Sequence, residues 1–174
     1  FIRDSGWLLT NNHVVEDCDY DAELGGQVAM INVGTLNDDG WMDVYVANDS
    51  MENYFYENKG NGTFTDEALV LGLALGQNGQ GVSSMGPAVA DLDADGSLDI
   101  MVPDMDYGSL LSKKGGFYQD LVGRSGLAVI LGQYTGWGAV LFDYDNDSHT
   151  DLFVANGNAH HEYAEDAVLA RNDG

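Results

Sequence analysis

Residues 91–102 read DLDADGSLDIMV, with aspartates at 91, 93, 95 and 99 running straight into an apolar stretch. In the pattern D-x-D-x-D-G-x-x-D, a tight loop lets the carboxylates at positions 1, 3, 5 and 9 converge. The glycine at position 6 takes a positive φ, and position 7 offers its backbone carbonyl. An all-oxygen set of this kind suits Ca²⁺, whereas Mg²⁺ demands stricter octahedral geometry and keeps more water. No Cys or His side chain stands in ligand register, which argues against zinc and copper. An EF-hand opens in the same way but needs a Glu at position 12. Counting from Asp91 or Asp143 gives Val102 or Val154 there, with β-type flanks, so the loop joins strands and not helices.

The pattern recurs. TLNDDGWMDVYVAND from Thr35, DLDADGSLDIMVPDM from Asp91 and DYDNDSHTDLFVANG from Asp143 lie 56 and 52 residues apart, each after a glycine-containing apolar lead. One predicted site holds Asp91, Asp93, Asp95 and Asp99 with the carbonyl of Ser97; a second holds Asp143, Asp145, Asp147 and Asp151 with that of His149. The first copy is weaker, because Thr35 and Asn37 replace two aspartates. It keeps Asp39 and Asp43, with Trp41 at the carbonyl position. In the third copy Ser148 stands where glycine belongs, which makes a left-handed residue costlier by about 1 kcal/mol or more. The remaining four carboxylates suffice to hold an ion.

Short β-type runs (DVYVA, DIMV, DLFVA, GTFTD) are bounded by Gly, Asn and Asp turns, about four to each repeat. The helix signal is weak, and its best stretch, TDEALVLGLA, equally suits a strand and a turn. The expectation is an all-β chain of about three tandem four-stranded units resembling propeller blades, forming a single repeat domain over residues 1–174. Residues 58–111 make repeat 2, and residues 10–57 make repeat 1, with an irregular insertion. Residues 112–174 make repeat 3, incomplete at its end. Writing RNDG before FIRDSGWL reproduces the pattern of SKKGGFYQDLVGRSGL, so residues 1–9 are expected to supply the strand that completes the last repeat. Known rings use about four to eight blades. Three are therefore expected to be completed by strand exchange between termini or between subunits.

Composition fits this expectation. The chain has 174 residues, 44% apolar, enough to bury a core. A formal charge of -23, from 29 acids against six bases, repels nucleic acid and anionic membranes and calls for cations. No stretch approaches the ~20 apolar residues of a membrane helix. The start at Phe1 is read as a processed mature chain or a piece of a longer one. Cys18 is the sole cysteine, so no internal disulfide forms.

The stretches NDDGWMDVYVANDS, ENKGNGTFTD, ADLDADGSLDI and GWGAVLFDYDNDSHTDLFVANG resemble the FG-GAP or VCBS repeats of secreted proteins, above all the cartilage-acidic-protein and UnbV-like group. The resemblance runs from about Gly26 to Gly174. It implies a β-propeller of the integrin-α type with calcium in its loops, acting in extracellular adhesion or scaffolding and not in catalysis.

Catalytic motifs are not evident: there is no G-x-S-x-G, no H-E-x-x-H and no phosphate-cradling loop with a lysine. His160 and His161 read as a surface pair. Trp41, Trp137, Tyr54, Phe55, Tyr56 and Tyr134 are expected in the core between blades, with sugar stacking as the alternative. Sequons at Asn48, Asn61 and Asn146 make Asn61 the best glycan candidate. The function expected is that of a secreted, calcium-stabilised structural or adhesive protein whose copies join head to tail into a fibre by strand complementation. The alternative is a propeller module, or a fragment of one, that binds a protein or glycan.

Overall fold

The computed structural model describes residues 28–34, 39–159 and 164–174. The predicted strand at residues 1–9, the insertion with Cys18, loop residues Thr35 and Asn37, and the His160–His161 pair lie outside these residues.

Three antiparallel sheets follow one another along the chain. The first holds β1 (Val28–Gly34), β2 (Asp43–Asn48), β3 (Tyr54–Asn58) and β4 (Phe64–Asp66) in chain order. The second holds β5 (Ala88–Ala90), β6 (Asp99–Val102), β7 (Ser109–Lys114) and β8 (Phe117–Asp120), also in chain order. The third has β9 (Gly136–Phe142), β10 (Asp151–Asn156) and β11 (Val168–Ala170), and among the described residues no fourth strand. This is the blade-like, nearly all-β architecture that the turn-bounded runs predict. The sheets span residues 28–66, 88–120 and 136–170, so divisions after residues 57 and 111 fall inside β3 and β7.

Each sheet is a meander in which strands adjacent in the chain pair. Gly115 and Gly116, at φ 62° and 89°, form the two-residue link that pairs Lys114 with Phe117 across β7 and β8. Two one-turn helices follow the outer strands: α1 (Ala68–Leu71) and α2 (Leu127–Leu131). The ambiguous TDEALVLGLA stretch thus becomes a helical turn. It stops at Gly72 (φ 81°), where an added Cβ would lie 2.6 Å from the Tyr118 carbonyl oxygen.

The core lies between sheets. Tyr45, Ala47 and Phe55 of the first sheet meet Ile100, Val102 and Leu111 of the second. Met101 of the second meets Leu152, Val154 and Val168 of the third, together with Val122 and Leu131. The alternation along β6 explains the division: Ile100 and Val102 point one way and Met101 the other. Every sheet thereby presents one apolar side to each neighbour.

Candidate metal centres

The aspartate-rich loops sit where β5 hands over to β6 and β9 to β10, and their geometry is built on backbone hydrogen bonds. In the second copy, Asp91 accepts from the N–H of Asp95 (Oδ1, 3.1 Å) and of Gly96 (Oδ2, 2.9 Å), while Asp93 accepts from the N–H of Asp95 at 3.3 Å. The third copy repeats these contacts. Asp143 accepts from Asp147 at 3.1 Å and Ser148 at 2.9 Å, and Asp145 accepts from Asp147 at 3.2 Å. Short side chains closing turns on their own backbone make such loops local and sequence-encoded. Positive φ appears at Ala94 (56°) and Gly96 (89°), and likewise at Asn146 (62°) and Ser148 (73°). Ser148 thus holds the left-handed conformation expected of a glycine there.

Position 9 does different work. Asp43, Asp99 and Asp151 open β2, β6 and β10 and are 0%, 2% and 0% exposed. One oxygen of each ties the loop to the next strand or to the residues just past it: Asp43 accepts from Asn58 at 3.0 Å, Asp99 from Lys113 at 3.3 Å and Asp151 from Asn172 at 2.8 Å. The other oxygen of Asp99 accepts from Leu92 N–H at 3.0 Å, and that of Asp151 from Tyr144 N–H at 3.0 Å.

Three carboxylates converge in each of the two full loops. Asp91, Asp93 and Asp99 bring ligand oxygens within 4.8 Å of one another, as do Asp143, Asp145 and Asp151. This is a hard, all-oxygen donor set that can hold a divalent cation and fits calcium chemistry. The position-5 aspartates, predicted as ligands, fall outside both trios. Asp95 and Asp147 each spend Oδ1 on the N–H two residues on, that of Ser97 at 2.8 Å and of His149 at 2.9 Å. Their Oδ2 atoms face basic groups. Lys114 Nζ lies 2.6 Å from Asp93 Oδ2 and 2.8 Å from Asp95 Oδ2; Arg171 spans Asp145 (Nε, 3.2 Å) and Asp147 (Nη2, 3.1 Å). Two of the six basic residues thus serve as built-in counter-ions.

The pKa directions agree. Burial pushes the Asp99 carboxyl up against the pull of its backbone donors. The Lys114 hydrogen bond holds Asp95 below the usual carboxylate range, and Asp93 and Asp95 raise Lys114. The His149 N–H, followed by the Arg171 hydrogen bond, lowers Asp147.

In the first copy Asp39 turns onto the N–H of Trp41 at 2.8 Å, so position 5 keeps its turn. The side chains of Ser97 and His149, at position 7, lie on the rim, and His149 Nδ1 is 3.3 Å from Asp147. Sequence reasoning missed Lys114, Arg171 and Asn172. The last donates from Nδ2 to the carbonyls of Leu92 (3.1 Å) and Thr150 (3.2 Å), joining the two loops directly. The available signal for the two bases was their place at or just past the end of the third strand of an acidic repeat.

The aromatics divide. Phe55 is core, while Trp41 and Trp137 are about half exposed, against the expectation of inter-blade burial. The Trp41 ring lies over the backbone of Gly60, where an added Cβ would be 2.6 Å from Nε1, and Trp137 Nε1 donates to Gly157 at 2.6 Å. Both indoles close surface turns. Tyr54 and Tyr56 sit side by side on the first sheet, their rings 5.9 Å apart. Asn61 is exposed at a hairpin tip, Asn146 is exposed within the third loop, and Asn48 is buried with its Nδ2 donating to Glu52 at 2.8 Å, which leaves that nitrogen no room for a sugar. Among the described residues, no helix is long and apolar enough to cross a membrane.

Comparison with known proteins adds a resemblance to this geometry. Residues 36–102, which run from the first loop through β6, match the FG-GAP-like repeat. Over 72 residues the chain is 35% identical to cartilage acidic protein 1 of Mus musculus and 36% identical to that of Xenopus tropicalis. Each match covers 41% of this chain and 10% of the relative, so it spans about a tenth of these proteins. Residues 36–102 are therefore similar to FG-GAP-like repeat sequence, and they lie on blade-like sheets.

Proposed function

We propose that this chain is an extracellular β-repeat module stabilised by calcium, with a structural or adhesive role and no catalytic one. The observation that carries this reading is the pair of carboxylate trios, Asp91–Asp93–Asp99 and Asp143–Asp145–Asp151, built alike at the same point of successive sheets. These trios would hold the ions, with the carbonyls of Ser97 and His149 and water completing six to eight oxygens. Calcium relieves the repulsion of three close carboxylates. Because it binds the folded loops and not the open chain, it strengthens folding as its concentration rises. Millimolar extracellular calcium fills even weak sites of this type. The resemblance to cartilage acidic protein 1 supports the extracellular setting.

Assembly is the second half of the proposal: copies join head to tail, the segment at residues 1–9 of one completing the three-stranded last sheet of another. The rival is a module that recognises a protein or glycan, and the exposed Trp41 and Trp137 favour it. Titration calorimetry with calcium, paired with thermal melting in calcium and in chelator, tests the first half. Two calcium sites and a higher melting temperature are expected; no binding by a folded chain overturns the reading. Light scattering tests the second, with discrete monomers in calcium as the result against it.

A further inference from the structure

The chain contains three Asn-Gly pairs, Asn61–Gly62, Asn78–Gly79 and Asn156–Gly157, and the fold treats them differently. In such a pair the glycine nitrogen can attack the asparagine side-chain carbon, because no Cβ on the glycine shields it. Two of the pairs are tied at both reacting groups. Asn78 Nδ2 donates to the Tyr107 hydroxyl at 3.0 Å, and the Gly79 N–H donates to the Gly76 carbonyl at 2.8 Å. Asn156 Nδ2 donates to the Asp166 carbonyl at 2.8 Å, and the Gly157 N–H to that of Thr135 at 3.0 Å. The first pair is arranged in the opposite way. Asn61 and Gly62 are exposed at the hairpin tip between β3 and β4, and an added Cβ at Gly62 would meet nothing within 4 Å. Among the described residues, no acceptor takes up the Gly62 N–H or Asn61 Nδ2. The Asn61 amide is held at its oxygen instead: Oδ1 accepts from the Thr63 N–H at 3.0 Å and from the Thr63 hydroxyl at 2.6 Å. These donors sit where negative charge develops when Cγ is attacked.

We propose that Asn61 is a self-modification site, at which the hairpin tip converts spontaneously to aspartate and isoaspartate. The Gly62 nitrogen bonds to Asn61 Cγ, the Cγ–Nδ2 bond breaks, and ammonia leaves with the proton that the glycine nitrogen gives up. Water then opens the cyclic imide at either carbonyl, leaving aspartate or an isoaspartyl backbone. The isoaspartyl form lengthens the main chain at residue 61, inside the turn that the Lys59 N–H closes on the Thr63 carbonyl at 3.0 Å and that Trp41 covers at Gly60. Conversion therefore adds a negative charge and loosens the seat of an exposed tryptophan. A sugar on Asn61 Nδ2 would block the step, so glycosylation and conversion compete for one nitrogen.

The test is to age the full, unglycosylated chain in calcium at mildly alkaline pH and to follow each pair by digestion and mass spectrometry. Asn61 should convert about 10-fold faster or more than Asn78 and Asn156, each of which must first give up two hydrogen bonds. In urea the three rates should converge, since the pairs then differ only in their sequence neighbours. Equal rates in the folded chain, or Asn78 or Asn156 converting first, would overturn the proposal. Aspartate formed without isoaspartate would overturn it too, because that product marks direct hydrolysis. Thr63→Val should melt as the wild type does in calcium and convert several-fold more slowly; an unchanged rate would overturn the role given to the hydroxyl.

Discussion

The loops at residues 91–99 and 143–151 are close copies in backbone, and the differences at position 6 and in the basic partner separate what the motif must have from what it can vary. Both close on the same hydrogen bonds from position 1 to positions 5 and 6, and both anchor position 9 to the neighbouring strand or the residues just past it. They differ at position 6, Gly96 against Ser148, and in the counter-ion, Lys114 against Arg171. The anchoring aspartate is thus a structural requirement of the sheet. Position 6 and the basic partner are the adjustable part.

The sharpest test of this division is truncation at position 9. Asp99→Ala and Asp151→Ala each orphan two backbone N–H groups, so unfolding in urea with chelator present should show losses of about 2–4 kcal/mol. Asp93→Ala and Asp145→Ala should cost far less there and weaken calcium binding instead. Equal losses at both positions would erase the distinction. Calcium itself should come next: at 100 times its dissociation constant a site adds about 2.7 kcal/mol, readable as a rise in melting temperature.

That increment should depend on pH in a definite sense. Burial raises the folded pKa of Asp99, so its own contribution is full below the ordinary aspartate range and is lost as pH rises through the folded value. Calcium needs the ionised form. Melting with and without the ion should therefore show its benefit shrinking as pH falls through the same window. Ser148→Gly relieves a left-handed serine and should stabilise the third loop by about 1 kcal/mol in chelator melts, where the second loop already has its glycine. Smallest of all, Lys114→Met should tighten calcium binding at the second loop a few-fold and flatten its salt dependence, because an exposed internal cation no longer competes.

Much of this was legible in the sequence because it is local. Three recurrences of an aspartate pattern before DVYVA, DIMV and DLFVA pointed to the loops at residues 91–99 and 143–151 and to the strands that follow each copy, since Asx turns and β-type runs are decided within a few residues. Asp91, Asp93 and Asp99 came together as the spacing implied. Asp95 did not join them, because its partner Lys114 arrives from β7, 19 residues away, a distance no loop motif encodes. The tryptophans were misplaced for a related reason: their repeat-equivalent positions suggested packing, but Trp41 and Trp137 each find a partner in a nearby turn, at Gly60 and Gly157. The helical turn at Ala68–Leu71 stops at Gly72 close against Tyr118 of the second sheet, a contact between units that no local pattern encodes.

Asn172 carries a consequence for how the chain would report on its surroundings. Its one amide nitrogen bridges the Leu92 and Thr150 carbonyls, so a shift in either acidic loop is felt by the other. Two ion seats joined in this way are expected to fill in concert, giving a threshold response to calcium where independent seats would give a graded one.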